Sequence, residues 1–327
     1  MRLHSLLVDA ASPMRRLRRR VPLLEKLLRV SLTDQEFRSV EIACERSCVD
    51  FGTFYHWYLQ KLLVSRHVRR LEKASTLKMV ARMDRSDYAR VDGLRDDPRG
   101  LIVATPHHGH YILSIVALAD RLRASREVLV FYGSPQTHMG NEIFDHLYGR
   151  LFGDPSSGVQ VIHDNRAGLL RAMRGLKNGA AIVIMPDVYK HEHETFLVPF
   201  CDRPLNVMLG TAVFARKTGS VILPMVSQPT AHGLGFTSVF GDVIDESAGQ
   251  AEADDTTHAD YRVMAKLFRQ FEAVMAPDIV YWQYIRSHYM REATFPELTP
   301  SSVQSIADLF FVDPRVNVDL RDPIRLD

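Results

Sequence analysis

The chain has 327 residues, of which 46% are hydrophobic and 24% charged, with a formal net charge of +2. That size and mix suit a globular protein with a sizeable core, and so small a net charge excludes nucleic acid as an expected partner. The cysteines, Cys44, Cys48 and Cys201, are too few for a disulfide framework, too few at 44 and 48 for a zinc site, and fit a reduced, cytoplasmic compartment.

Residues 1–95 read as a helical N-terminal region, basic at 14–30. Residues 1–30 carry eight Arg and Lys against Asp9 and Glu25. A helix over 14–30 suits an anionic membrane surface, an acidic protein, or simply a solvated face. No apolar run approaches the roughly 18 residues that span a bilayer, and no long apolar block follows the basic cluster as in a signal peptide. Residues 33–74 have apolar positions at three- and four-residue spacing without proline, which predicts two or three helices before the loop at 92–100.

From 101 the pattern alternates. Strands are expected at 101–105, 127–132, 159–163, 180–186 and 220–227, with helices at about 110–124, 139–152, 165–178 and 205–218 between them. Asp164 or Asn165 is the cap signal for the third of these helices, and Gly179 its stop. Short apolar strands alternating with amphipathic helices define an α/β fold: a mainly parallel sheet flanked by helices on both faces. Strands at 234–240 and near 243 are expected at an antiparallel edge, and a helix at 258–276. The core is thus 96–298, followed by a proline- and aspartate-rich arm at 299–327, the whole forming one structural domain.

In open α/β sheets, ligands sit beyond the carboxyl ends of the strands. His107, His108 and His110 follow the strand at 101–105, Ser134 follows 127–132, and Asp187 follows 180–186, with Glu192 and Glu194 in the loop after it. A histidine is suited to general-base work, best when a carboxylate holds its second ring nitrogen. Asp187 is the first candidate for that carboxylate. A zinc reading of the histidines or of 191-HEHE-194 lacks the HExxH spacing, so no metal is expected. Glycine-rich phosphate loops and a GxSxG elbow are also missing, which argues against nucleotide binding and serine-hydrolase chemistry; no cofactor is expected. Arg166, Arg171 and Arg174 fall on one helix, where Arg166 and Arg174 are candidates for a phosphate arm and a solvated face is the plainer reading. Phe196, Phe200, Val213 and Phe214 are candidates for an acyl tunnel or for core packing, and Trp282 and Tyr284 read as packing residues.

Four blocks between about 100 and 290 resemble the bacterial lipid A late acyltransferase family, within the lysophospholipid-acyltransferase-like superfamily. They are HHGHYI (107–112), LKNGAAIVIMPD (176–187), FLVPFCDRPLNVMLGTAVFARKTGSVILPM (196–225) and PDIVYWQYIR (277–286). The resemblance implies an acyltransferase that moves an acyl group from a thioester, on an acyl or peptidyl carrier protein or on coenzyme A, to a small amine or hydroxyl acceptor in a specialised biosynthetic pathway. The acyl thioester is a co-substrate. His107 matches the family's base. The family's orienting carboxylate, five residues on, is Ile112 here, which leaves Asp187 as the acid for His107.

His108 is the alternative base, reading 107-HH-108 as the start of an HHxxxD motif, whose aspartate position is again Ile112. His110, Tyr111, Ser134, Glu192, Arg166 and Arg174 are the expected substrate-binding residues. The sequence has no run like the family's membrane-spanning N-terminal helix, which suggests an acceptor other than a membrane-embedded glycolipid; a cytoplasmic location is expected, with 14–30 the candidate for peripheral contact at the inner membrane. Two other readings remain: a family member that binds an acyl chain or a partner without catalysis, and a metal-dependent hydrolase built on the histidine cluster.

Overall fold

The computed structural model describes residues 44–285, apart from residue 46 and residues 69–70, 135–141, 189–195, 202, 231–234 and 246–255. The basic segment 14–30, Glu192 with the 191–194 run, and the arm at 299–327 therefore lie outside the described residues.

Helices α1 (Phe51–Val68), α2 (Lys73–Met83) and α3 (Ala89–Gly93) precede β1 (Leu101–Ala104), as the helical pattern before residue 95 predicts. The alternation that follows is α4 (Tyr111–Leu122), β2 (Val128–Tyr132), α5 (Glu142–Phe152), β3 (Val159–His163), α6 (Arg166–Lys177) and β4 (Ala181–Ile184). Asn165 caps α6, its side-chain oxygen accepting from the Gly168 N–H at 2.9 Å, and Gly179, with φ +80°, turns the chain out of the helix.

After β4 the structure departs from the sequence reading. The helix expected over 205–218 begins only at Gly210. Residues 196–207 instead form a hairpin, β5 (Phe196–Phe200) with β6 (Arg203–Val207), before α7 (Gly210–Thr218). Prolines 199 and 204, which read as strand breakers, sit opposite each other in a two-stranded ribbon. Such a ribbon has two free edges where a missing N–H costs nothing. The chain reverses at Cys201, with φ +49°. Then come β7 (Val221–Pro229), β8 (Phe236–Phe240) and α8 (Thr256–Met275). The strand expected near 243 is a single bridge between Ile244 and Ile222.

The main sheet has the order β3-β2-β4-β1-β7-β8, parallel except for β8. Its central strands are buried along their whole length, and alternate residues serve opposite faces. Ile102 and Ala104 join one apolar layer with Leu176, Phe214 and Phe268, below α6, α7 and α8. Leu101 and Val103 join the other with Met79, Ile115 and Leu151, below α2, α4 and α5. This two-faced burial is the α/β architecture that the alternating pattern implies. It also fixes the carboxyl ends of β1 and β4 side by side.

Candidate active site

Strands β1 and β4 pair in register, Leu101 with Ala181 and Ala104 with Ile184, a constant offset of 80 residues. The same offset continues past the strand ends. His107 and Asp187 are also 80 apart, and the His107 ring Nδ1 lies 2.7 Å from Asp187 Oδ1. The His107 backbone N–H donates to Asp187 Oδ2 at 2.8 Å, and the Trp282 indole N–H donates to the same oxygen at 2.8 Å. Asp187 is 2% exposed and His107 5%. Burial on its own pushes the Asp187 carboxyl up. The His107 ring, together with the hydrogen bonds from His107 and Trp282, outweighs it and holds the carboxyl below the ordinary carboxylate range.

The loop that carries the histidines is held by the chain before Ile285. Gln283 N–H donates to His107 O at 2.9 Å, Gly109 N–H donates to Tyr281 O at 3.1 Å, and His108 bridges to Trp282. Tyr111 and Tyr284 both meet the His107 ring edge to face, at centroid distances of 4.7 and 5.1 Å. The Tyr111 hydroxyl donates to Gln283 Oε1 at 3.1 Å. Burial, and after it neighbours that include Asp187, push the hydroxyls of Tyr111 and Tyr284 up, so both stay neutral donors. His107, Gln283 and Tyr284 form one wall of a cavity of 740 Å³ whose apolar lining includes Phe131, Met173, Ile184, Val213 and Phe214. Asp164 and the exposed Lys217 also line it. A space of that volume takes a drug-sized or acyl-chain-sized ligand.

The other expected site residues fall in different places. His108 is fully buried, its Nδ1 2.8 Å from Ser227 O and its Nε2 3.1 Å from Asp278 O. Carbonyl oxygens only accept, so both ring nitrogens are turned to acceptors and neither presents a lone pair to the cavity. His110 is buried between Trp57 and Phe236, at centroid distances of 6.0 and 6.5 Å, with Nε2 lacking a hydrogen-bond partner. Burial first, and the Lys61 ammonium second, lower it to about 3.

Ser134 stands just past β2, its N–H donating to Asp164 at 3.0 Å, one residue beyond the lining Gly133. Arg166 and Arg174 are exposed on α6, and Arg171 pairs with Glu127. Of the acyl-tunnel candidates, Val213 and Phe214 line the cavity, whereas Phe200 is buried against Phe268 and Trp282. Trp282, Gln283 and Tyr284 are the residues that sequence reasoning undervalued. They sit in the fourth of the resembling blocks, which is the one signal that marked them. Among the described residues, no group of three or more His, Cys, Asp or Glu side chains is arranged to hold a metal.

The fold is thus a mainly parallel α/β sheet with a buried histidine–carboxylate pair beyond its carboxyl edge, beside a largely apolar cavity. The sequence profile of the bacterial lipid A biosynthesis acyltransferase family matches residues 63–291, and the chain belongs to that family. Acyltransferase activity, with an acyl donor and an acceptor, is what the family has in common. No curated protein matches the chain significantly. No helix among the described residues is long and apolar enough to cross a membrane.

Proposed function

We propose that the protein transfers an acyl group from a thioester to an amine or hydroxyl acceptor, with His107 as general base and Asp187 as its orienting carboxylate. The carrying observation is the 2.7 Å contact between His107 Nδ1 and Asp187 Oδ1 in the wall of the cavity. With Nδ1–H donating to Asp187, Nε2 keeps the lone pair that accepts the acceptor's proton. The acceptor nitrogen or oxygen attacks the thioester carbonyl. The tetrahedral intermediate collapses with cleavage of the carbon–sulfur bond, and the imidazolium returns its proton to the departing thiolate. The products are an amide or ester and a free thiol.

In this reading Asp187 takes over the place of the motif carboxylate that the resemblance puts at position 112. Ile112 itself packs half-buried beside the layer under α2, α4 and α5. The donor is an acyl or peptidyl carrier protein or coenzyme A, whose phosphate-bearing arm meets Lys217 at the cavity. The acceptor is a small amine or hydroxyl compound of a specialised pathway. An amine that is neutral at working pH needs less activation than a sugar hydroxyl.

The test is turnover of carrier-protein and coenzyme A thioesters against a panel of amines and alcohols, followed by mass spectrometry. Asp187→Asn should lower the rate by about 10⁴-fold, as loss of the orienting carboxylate does in a triad, and His107→Ala should lower it by at least as much. Thioester binding without turnover in the wild type would point instead to the non-catalytic binder.

A further inference from the structure

Among the described residues, the large apolar side chains that stand exposed are Leu169, Leu170 and Val243, at 42%, 58% and 36%. Single exposed leucines are ordinary, but two of these are neighbours on α6. The helix reads RAGLLRAMRGLK, with Arg or Lys at four of its twelve positions and no acid. It buries Gly168, Ala172, Gly175 and Leu176 against the sheet. Arg166, Leu170, Arg174 and Lys177 lie at three- and four-residue spacing on the opposite, exposed side. Leu170 therefore stands in a row of cations, with Arg166 and Arg174 one turn to either side. Leu169, one position back, is exposed and also lines the 740 Å³ cavity together with Met173 and, from the adjacent α7, Lys217.

We propose that this face of α6 docks on an anionic lipid bilayer, with Leu169 and Leu170 entering the boundary between headgroups and acyl chains. The charge of the face complements anionic headgroups, since α6 offers three exposed cations and no carboxylate. Its shape is convex. A protein partner must bring a groove to such a face, whereas a bilayer accommodates it directly. The shared residue Leu169 makes the apolar surface continuous with the cavity, so an apolar chain passes between bilayer and cavity without crossing water. The contact is small, and binding is accordingly reversible and weakened by salt.

The experiment is co-sedimentation of the full chain with vesicles of phosphatidylcholine alone and of phosphatidylcholine mixed with phosphatidylglycerol. The wild type should bind the mixed vesicles, release from them at high salt, and leave the neutral ones in solution. Leu170→Asp, at an exposed position outside the cavity, and Arg166→Glu/Arg174→Glu should each weaken that binding by about tenfold or more. Circular dichroism and thermal melts confirm that the variants are folded. Binding of the α6 variants equal to that of the wild type would overturn the proposal and move the contact elsewhere, to the basic segment 14–30 first. The proposal also falls if the wild type ignores anionic vesicles, or if Leu170→Asp leaves vesicle binding unchanged while raising KM for a carrier-linked donor. The vesicle-binding readouts do not depend on the assigned chemistry at His107.

Discussion

The indole N–H of Trp282 donates to Oδ2 of Asp187 at 2.8 Å, on the oxygen that also accepts from the His107 backbone. Asp187 thus has three donors: two from His107 and one from a side chain 95 positions away in sequence. A carboxylate held on both oxygens cannot swing away from the imidazole, and each donor favours its ionised form.

Trp282→Phe removes the long-range donor and keeps an aromatic ring in a fully buried place. Losing a hydrogen bond to the ionised form raises the Asp187 carboxyl toward its ordinary range. Loss of rate on protonation of Asp187 should then set in at a higher pH than in the wild type. We expect kcat to fall by about tenfold, the worth of one charge-assisted hydrogen bond, with KM little changed. Steady-state kinetics across pH, beside a thermal melt to confirm folding, checks this. An unmoved onset with unchanged kcat would reduce Trp282 to a packing residue.

Gly109 lets the histidine loop lie close against β7. Its φ is +57°, and a Cβ there would stand 2.3 Å from the Ser227 carbonyl oxygen. The same oxygen receives the His108 ring at 2.8 Å. Gly109→Ala therefore meets left-handed strain of about 1–2 kcal/mol as well as a backbone clash that only movement of the loop relieves. The variant should lose stability in urea denaturation by at least that amount. It should also lose activity beyond what its folded fraction explains, because His107 moves with the loop.

The sheet was legible because β1 and β4 are continuous apolar runs bounded by turns, and a run buried on both faces has few alternatives. Pairing of His107 with Asp187 was legible for the same reason, since both are the third residue past strands that α/β topology tends to make neighbours. The hairpin at 196–207 was not. Its prolines argue against strand wherever both edges are paired, and only the tertiary structure reveals that these edges are free. The parting of His107, His108 and His110 was equally hidden. Adjacent residues in a turn point in different directions, and the partners that claim them, Ser227, Asp278, Trp57 and Phe236, are distant in sequence.

His110 gives the fold an acid sensitivity. Its folded value, about 3, lies below the ordinary 6.5 because burial and Lys61 disfavour the charged ring. Between those two values the unfolded chain binds the proton and the folded chain does not. Stability is therefore full above about pH 6.5 and declines as pH falls toward 3. His110→Phe, which fits beside Trp57 and Phe236, removes this contribution. Chemical denaturation at neutral pH and at about pH 4.5 should show a smaller loss on acidification in the variant than in the wild type. Equal losses would mean that the ring is protonated in the fold.

Lys61 has the opposite relation to pH, on the alkaline side. Its ammonium sits 5.1 Å from the centroid of the Trp57 ring and 5.9 Å from that of Tyr111, and burial lowers it from 10.5 to about 8. The two ring faces attract the cation, yet they do not offset its loss of water. Between 8 and 10.5 the unfolded chain holds a proton that the folded chain has released, so this group makes stability rise with pH across that window and costs most below it. Lys61→Met keeps the length and packing of the stem and discards the charge. The variant should melt at a higher temperature than the wild type at neutral pH. The difference should shrink as pH rises through the window and vanish above about 10.5, where both chains carry a neutral side chain. Paired thermal melts at neutral pH, at about pH 9 and above the window measure that convergence. A variant that melts lower at neutral pH would show that the stacked ammonium stabilises the fold and that the two aromatic faces outweigh its burial.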